Sequence, residues 1–274
     1  SGQDISQTME FGTFTDDLEK LRSWLLEHEC HVVAMESTGI YWRCVHNILE
    51  ADVEVILVNA RHVKNVPGRK TDIEDSRWLA GLLRHGLLRG SFIPAKEIRQ
   101  WRELSRVRRK NRDTLGDYKR RVHKLFESAN IKIDSVVSDL FGVTGRNLIM
   151  LLMTGPKEIC LEDIGLCAKG SLQSKISELH RSIQGFYEEH HRFQLTSLMQ
   201  VIEALEQANG SIDARLRELM QEHNDLIRRM DKVPGVNELS AQYVLSELGP
   251  NLDTFADASA LAPWAGLCPG NNES

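Results

Sequence analysis

The first ninety residues alternate between short apolar runs and segments in which apolar residues recur at helical spacing. The runs HVVAME (residues 31–36) and VEVILVNA (53–60) are rich in apolar and β-branched residues, which is typical of buried strands. YWRCVHNILEA (41–51) and the segment 72–83 have helical spacing. This order of strand, helix, strand and helix predicts an α/β layer with a largely parallel sheet.

Beyond Pro94 the strand pattern stops, and the chain continues as a segment rich in lysine and arginine. Apolar residues recur there at mixed steps of three, four and more residues, which predicts a helix with one apolar face and a cationic remainder. These apolar residues are Trp101, Leu104, Val107, Leu115, Tyr118, Val122 and Leu125. We assign residues 95–170 to a basic helical linker region, because FGVTGRN and TGP interrupt the pattern before Cys160.

From residue 172 to residue 230 apolar residues recur at alternating steps of four and three, which predicts a coiled coil over residues 171–232. Asn209, His190 and His223 fall in its seam, and we interpret them as register-setting or tolerated core positions rather than metal ligands. The sequence NGS at 209–211 weakens the helix. One continuous rod and two helices that fold back on each other therefore both remain open.

The last segment, 233–274, opens with VPGVNELSAQYVLSELG, in which a Pro-Gly turn precedes a helix. The first backbone N–H groups of such a helix can face a phosphate, although an ordinary helix–helix turn has the same pattern. The sequence stops at Ser274 after a Pro-Gly-Asn-Asn turn. We expect this small helical domain to be truncated there.

Composition limits the class of protein. With 274 residues, 41% hydrophobic and 27% charged, the chain can bury substantial cores as one large or two ordinary domains. Its five cysteines are odd in number and never form a CxxC pair, which argues against a disulfide framework and a zinc site and fits a reducing cytosol. We expect neither a membrane span nor a signal peptide, because no sufficiently long apolar run occurs.

The net charge of −5 conceals a basic block between residues 96 and 124, which carries twelve basic and four acidic side chains. Most charge runs are solvated helical faces. The excess of one sign here instead favours a polyanionic partner, namely nucleic acid.

Carboxylates form the second chemical feature. In GRKTDIEDSRWLAGLLRHG (68–86), Asp72 and Asp75 lie three residues apart and share a helix face, while Glu36 ends a predicted strand. Three such groups could bind Mg²⁺ or Mn²⁺, and two such ions would stabilise the attacking and leaving oxygens of a phosphoryl transfer. Alternatively, Asp72 and Asp75 only complement the helix dipole, with Thr71 or Asp72 as the cap.

The motifs EST…YW and KTDxxDS, with the stretch from AMESTGIYW to LLRGSFIP, resemble sequences of the insertion-sequence 110 family of transposases. That resemblance extends through the basic helix and coiled coil to VPGVNELSAQYVLSELG and LAPWAGLCPGNNES, which are similar to the family's C-terminal transposase domain. It implies a RuvC-like, RNase-H-type α/β domain over 1–94 and a small all-α domain over 233–274. It also implies a DNA recombinase of the DEDD type.

By this resemblance, Glu36, Asp72 and Asp75 correspond to the second, third and fourth acids of the DEDD set and would hold Mg²⁺ or Mn²⁺. Asp4, in GQDIS, imitates the context of the first acid. It lies too close to Phe11 for the expected strand and turn, so we expect the first strand to be missing. Ser274 corresponds to the family's serine nucleophile, whose hydroxyl needs a metal or a base for activation.

The resemblance further implies donor and target DNA, a bridge RNA, and a homo-oligomer, dimer or tetramer, joined through the coiled coil. It places the protein in the bacterial cytoplasm, associated with the nucleoid. We expect phosphate contacts from Arg69, Lys70, Arg102, Arg106, Arg108, Arg109, Lys110, Arg112, Lys119, Arg120, Arg121 and Lys124. The alternatives are a RuvC-like metal-dependent endonuclease that uses water, and an inert RNA-binding or dimerisation fragment.

Overall fold

The computed structural model describes residues 7–59, 72–88, 90–156 and 158–252. The chain divides into two compact units, residues 1–94 and 95–274. The helices and strands of the first unit are α1 (Thr15–Glu27), β1 (Val32–Glu36), α2 (Trp42–Leu49), β2 (Glu54–Val58) and α3 (Asp72–Arg84). The predicted order of strand, helix, strand and helix is confirmed.

Strands β1 and β2 are parallel and are paired from Val32 opposite Glu54 to Glu36 opposite Val58. Helix α2 makes the crossover between them, as a parallel connection requires. Leu25, Leu49 and Val53 form the buried centre of this unit, and α3 packs against β1. The described part of the sheet has these two strands, which supports an α/β layer.

The second unit is helical in its described residues. Its helices are α4 (Lys96–Ser128), α5 (Val143–Thr154), α6 (Leu161–Cys167), α7 (Ile176–Ser182), α8 (Glu189–Leu219), α9 (Asn224–Asp231) and α10 (Glu238–Leu248). Short 3₁₀ segments lie at Ile133–Ser135, Gly170–Lys175 and Gln221–His223. The single long helix α4 confirms the predicted basic helix. None of the described helices is both long and apolar enough to cross a membrane.

Helices α4 and α8 pack along each other in opposite directions. The carboxyl-terminal half of α4 shares one apolar cluster with Leu195 and Ile202 of α8, and its amino-terminal end shares another with Leu216. From Leu198 onward the predicted seam of α8 is therefore buried or half-buried within the chain. The prediction that His190 lies in the seam is wrong, because this residue is exposed at the start of α8. Asn209 is buried in this helix, as predicted for a seam position.

The predicted heptad segment 171–232 differs from the structure, because it is divided into three α-helices. The main break lies between Ser182 and Glu189, and not at the NGS sequence, which α8 crosses without interruption. Gly185 lies in this break, where an added Cβ would come within 2.2 Å of the carbonyl oxygen of Ala129. Residue 185 must therefore be glycine, because its backbone lies close to the turn at Ala129. The heptad pattern does not continue through this break.

Candidate metal site and nucleic-acid interface

Glu36 lies at the carboxyl end of β1. Its carboxylate accepts a hydrogen bond from Thr38 Oγ1 at 2.8 Å, and the next residue, Ser37, donates its N–H to the carbonyl of Val58 at 2.9 Å. The half-buried Glu36 therefore stands at the edge of the parallel strand pair where ligands bind in open α/β sheets.

Asp75 lies in the first turn of α3, and its side chain is half-buried. Because α3 packs against β1, the helix that carries Asp75 lies on the strand that ends at Glu36. Two carboxylates are a suitable donor set for a hard divalent cation. Asp72 begins α3, but its side chain lies outside the described residues, as do Asp4, Arg69, Lys70 and Ser274. Their assigned roles stay predictions.

Glu247 of α10 neutralises two arginines of the basic helix. Arg106 donates Nε and Nη2 to the two carboxylate oxygens of Glu247, each at 3.0 Å, and its pKa is raised by this hydrogen bonding. Arg102 places Nε 3.0 Å from Glu247 Oε2 and donates Nη2 to the Glu247 carbonyl at 2.5 Å. These arginines therefore bind α10, which lowers the charge that they present to a polyanion. Sequence reasoning missed Glu247, since it lies 141 residues from Arg106.

Arg108 is only 3% exposed. It donates to Asp213 Oδ1 of α8 at 2.9 Å, and to Gln242 Oε1 and the Leu239 carbonyl of α10 at 3.0 and 3.3 Å. The prediction that Arg108 contacts nucleic acid is wrong, because its guanidinium group is enclosed and holds three helices together. Its charge is compensated by Asp213.

Two further cations of α4 are also partnered. Lys119 lies 3.6 Å from Glu206 and above the ring of Phe141, and Arg120 pairs with Asp117. Within the described part of the chain, five predicted contact residues have no carboxylate within 4.0 Å. These five cations, all exposed, are Arg109, Lys110, Arg112, Arg121 and Lys124.

Another group with ligand chemistry lies at the start of α8. The carboxylate of Glu188 and the imidazole nitrogens of His190 and His191 lie within 4.8 Å of one another. His191 Nδ1 accepts the backbone N–H of Glu188 at 3.1 Å, and the Glu188 carboxylate accepts the N–H of His191 in return. This reciprocal pair is a capping box, which explains the cluster without a metal ion.

Two family models match the chain. The model DEDD_Tnp_IS110, described as a transposase, matches residues 1–131, which include Glu36, Asp75 and all of α4. The model described as the transposase IS116/IS110/IS902 family matches residues 227–274, which include α10 and Ser274. A search of curated proteins found no match.

Proposed function

Because the chain belongs to the IS110 family of transposases, and is therefore an enzyme of DNA recombination, we propose that it cuts and rejoins insertion-sequence DNA through a serine nucleophile, guided by a bridge RNA. One observation carries this proposal: two transposase models of the same family match the amino-terminal and carboxyl-terminal parts of one chain. The family's DEDD domain implies dependence on a divalent metal ion. We assign that ion as Mg²⁺, with Mn²⁺ as its substitute.

Glu36, Asp72 and Asp75 would hold the metal. The support is the position of Glu36 at the carboxyl end of β1 and of Asp75 on the helix packed against that strand. A divalent ion there supplies charge stabilisation for phosphoryl transfer. The carboxylates of the chain would keep this charge at the sheet edge, where the reacting phosphate would bind.

Ser274 supplies the nucleophile in this proposal. Its Oγ forms a bond to a DNA phosphorus, its proton passes to a base, and the leaving strand departs as a DNA hydroxyl. Attack by a hydroxyl of a second strand reverses the exchange, releases Ser274 and joins the DNA. No oxidant or nucleotide cofactor is needed, because each step exchanges one phosphodiester for another.

The five cations are proposed to hold nucleic-acid phosphates, and Lys110, Arg121 and Lys124 are assigned to those of the bridge RNA. Their support is exposure and the absence of a described carboxylate partner, which leaves their charge available to a polyanion. We also propose a homo-oligomer, dimer or tetramer. Since the α8 seam is occupied by α4, its interface would use exposed side chains such as Phe186 and Phe193.

Metal titration tests the carboxylate site. We expect Asp75→Asn to weaken Mn²⁺ binding at least tenfold, measured by the loss of the free-ion electron paramagnetic resonance signal. Asp113→Asn is the matched control, because Asp113 is an exposed carboxylate of α4 and loses the same charge. Equal binding by wild type and both variants would contradict the metal site.

A further inference from the structure

A cavity of about 330 Å³ lies between α4 and α10 in the second unit. Three arginines of α4, namely Arg108, Arg109 and Arg112, contribute to its wall, and Ser240 and Tyr243 of α10 line the opposite side. Arg108 is already neutralised by Asp213. The positive charge that remains available in the cavity therefore comes from Arg109 and Arg112.

Arg109 is held in place without losing its charge. Its Nη1 donates to the hydroxyl of Tyr243 at 2.9 Å, and its guanidinium carbon lies 5.7 Å from the centre of the same ring. A tyrosine hydroxyl orients the guanidinium group but does not neutralise it. A guanidinium group fixed in this way loses less side-chain entropy when it binds an anion.

Arg112 lies one helical turn beyond Arg108 and is exposed, with no carboxylate within 4.0 Å in the described ranges. On the facing wall, Asn237 caps α10 by accepting the N–H of Ser240 at 2.9 Å. The Ser240 hydroxyl and the two guanidinium groups thus supply several hydrogen-bond donors around one concave space. Asp113 and Glu247 act on Arg109 only through longer-range electrostatic attraction, and Asp213 is paired with Arg108.

We propose that this cavity binds a phosphodiester group of the DNA, with Arg109 and Arg112 as the contacting cations and Tyr243 as a positioning residue. The inference rests on the proposed function, since a recombinase must hold its DNA. The α10 wall belongs to the matched segment 227–274, which also carries the proposed nucleophile Ser274. This shared segment favours DNA over RNA as the source of the phosphate.

The test is binding of a labelled DNA duplex at several salt concentrations. We expect Arg112→Ala to weaken binding about threefold to tenfold and to reduce the slope of log affinity against log salt by about one. Arg181→Ala is the matched control, because Arg181 is an exposed arginine of α7 that does not line the cavity. It should leave both quantities unchanged.

Tyr243→Phe separates orientation from charge. It removes the hydroxyl that orients Arg109 but keeps both arginines, so we expect weaker DNA binding with an unchanged salt slope. Thermal unfolding checks that each variant folds. Arg112→Gln replaces Arg112→Ala if the alanine variant unfolds.

The outcomes separate the two proposals. If the wild type binds no DNA, both the proposed function and the cavity site fail. If the wild type binds DNA and Arg112→Ala matches Arg181→Ala, only the cavity site is overturned. If Arg112→Ala weakens binding of an RNA hairpin but not of the duplex, the assignment to DNA is overturned.

Discussion

At the scale of single residues, the helix that faces each basic side chain of α4 determines whether that side chain is buried and paired or exposed. Arg108 reaches Asp213 and Gln242 on two other helices, whereas Arg112, one turn later, remains exposed. The count of basic residues correctly predicted a cationic helix. It could not predict which basic residues form ion pairs within the protein, because the acidic partner of Arg108 lies 105 residues away in the sequence.

Removal of Arg108 tests its structural role. We expect Arg108→Ala to lower the free energy of unfolding by about 3 kcal/mol, since Asp213 would lose its buried counter-ion. Exposed Arg181→Ala should change it by less than about 0.5 kcal/mol. Urea unfolding measures both, and similar values for the two variants would show that Arg108 does not hold the helices together.

Tyr187 makes stability depend on alkaline pH. Burial raises the pKa of Tyr187 to about 12 from its ordinary value of 10.0, and its hydroxyl donates to the Leu152 carbonyl at 3.3 Å. Between these values the unfolded chain releases the phenol proton while the folded chain keeps it. The stability that Tyr187 contributes is thus complete below pH 10 and is lost as the pH rises through 12.

We therefore expect the wild type to lose more stability than Tyr187→Phe between about pH 9 and pH 11. Urea unfolding at both values, compared between the two proteins, cancels the titration of groups that they share. A parallel decline of the two proteins would count against the pKa shift.

At the scale of elements, the hydrophobic pattern correctly predicted those helices and strands that are determined by nearby residues in the sequence. The parallel strand pair and α4 follow from β-branched runs and helical spacing, and both are present. The break before α8 did not appear in the pattern, because Gly185 is constrained by the backbone of Ala129 in a distant turn. The sequence NGS weakens a helix intrinsically, yet packing of α8 against α4 overrides that preference.

Two glycines test this balance. Gly210 lies in α8 with open space around an added Cβ, so we expect Gly210→Ala to stabilise the protein by about 0.5 to 1 kcal/mol. Gly145 lies in α5, where a Cβ would come within 2.0 Å of the Leu140 carbonyl oxygen. Gly145→Ala should therefore destabilise it by about 1 to 3 kcal/mol. Thermal or urea unfolding should show opposite signs, and equal signs would contradict the packing described for these helices.

At the scale of the whole molecule, the elements that carry two of the proposed metal ligands could be predicted. Glu36 and Asp75 fall on a strand end and on the helix packed against that strand, as the α/β pattern indicated. The roles of Asp72 and Ser274 stay predictions, because the side chains of both residues lie outside the described part of the chain. The two family matches indicate transposase activity, which neither the charge distribution nor the hydrophobic periodicity of the sequence could specify.

The most direct measurement is Mg²⁺-dependent DNA strand joining by this transposase, with its element's DNA ends and RNA. Wild type, Ser274→Ala and Asp75→Ala would be compared, and each reaction would be examined for a covalent protein–DNA adduct. We expect both substitutions to abolish joining, and we expect Ser274→Ala to form no adduct. DNA cleavage that persists in Ser274→Ala but is lost in Asp75→Ala would contradict the serine nucleophile, and would instead identify a metal-dependent endonuclease that uses water.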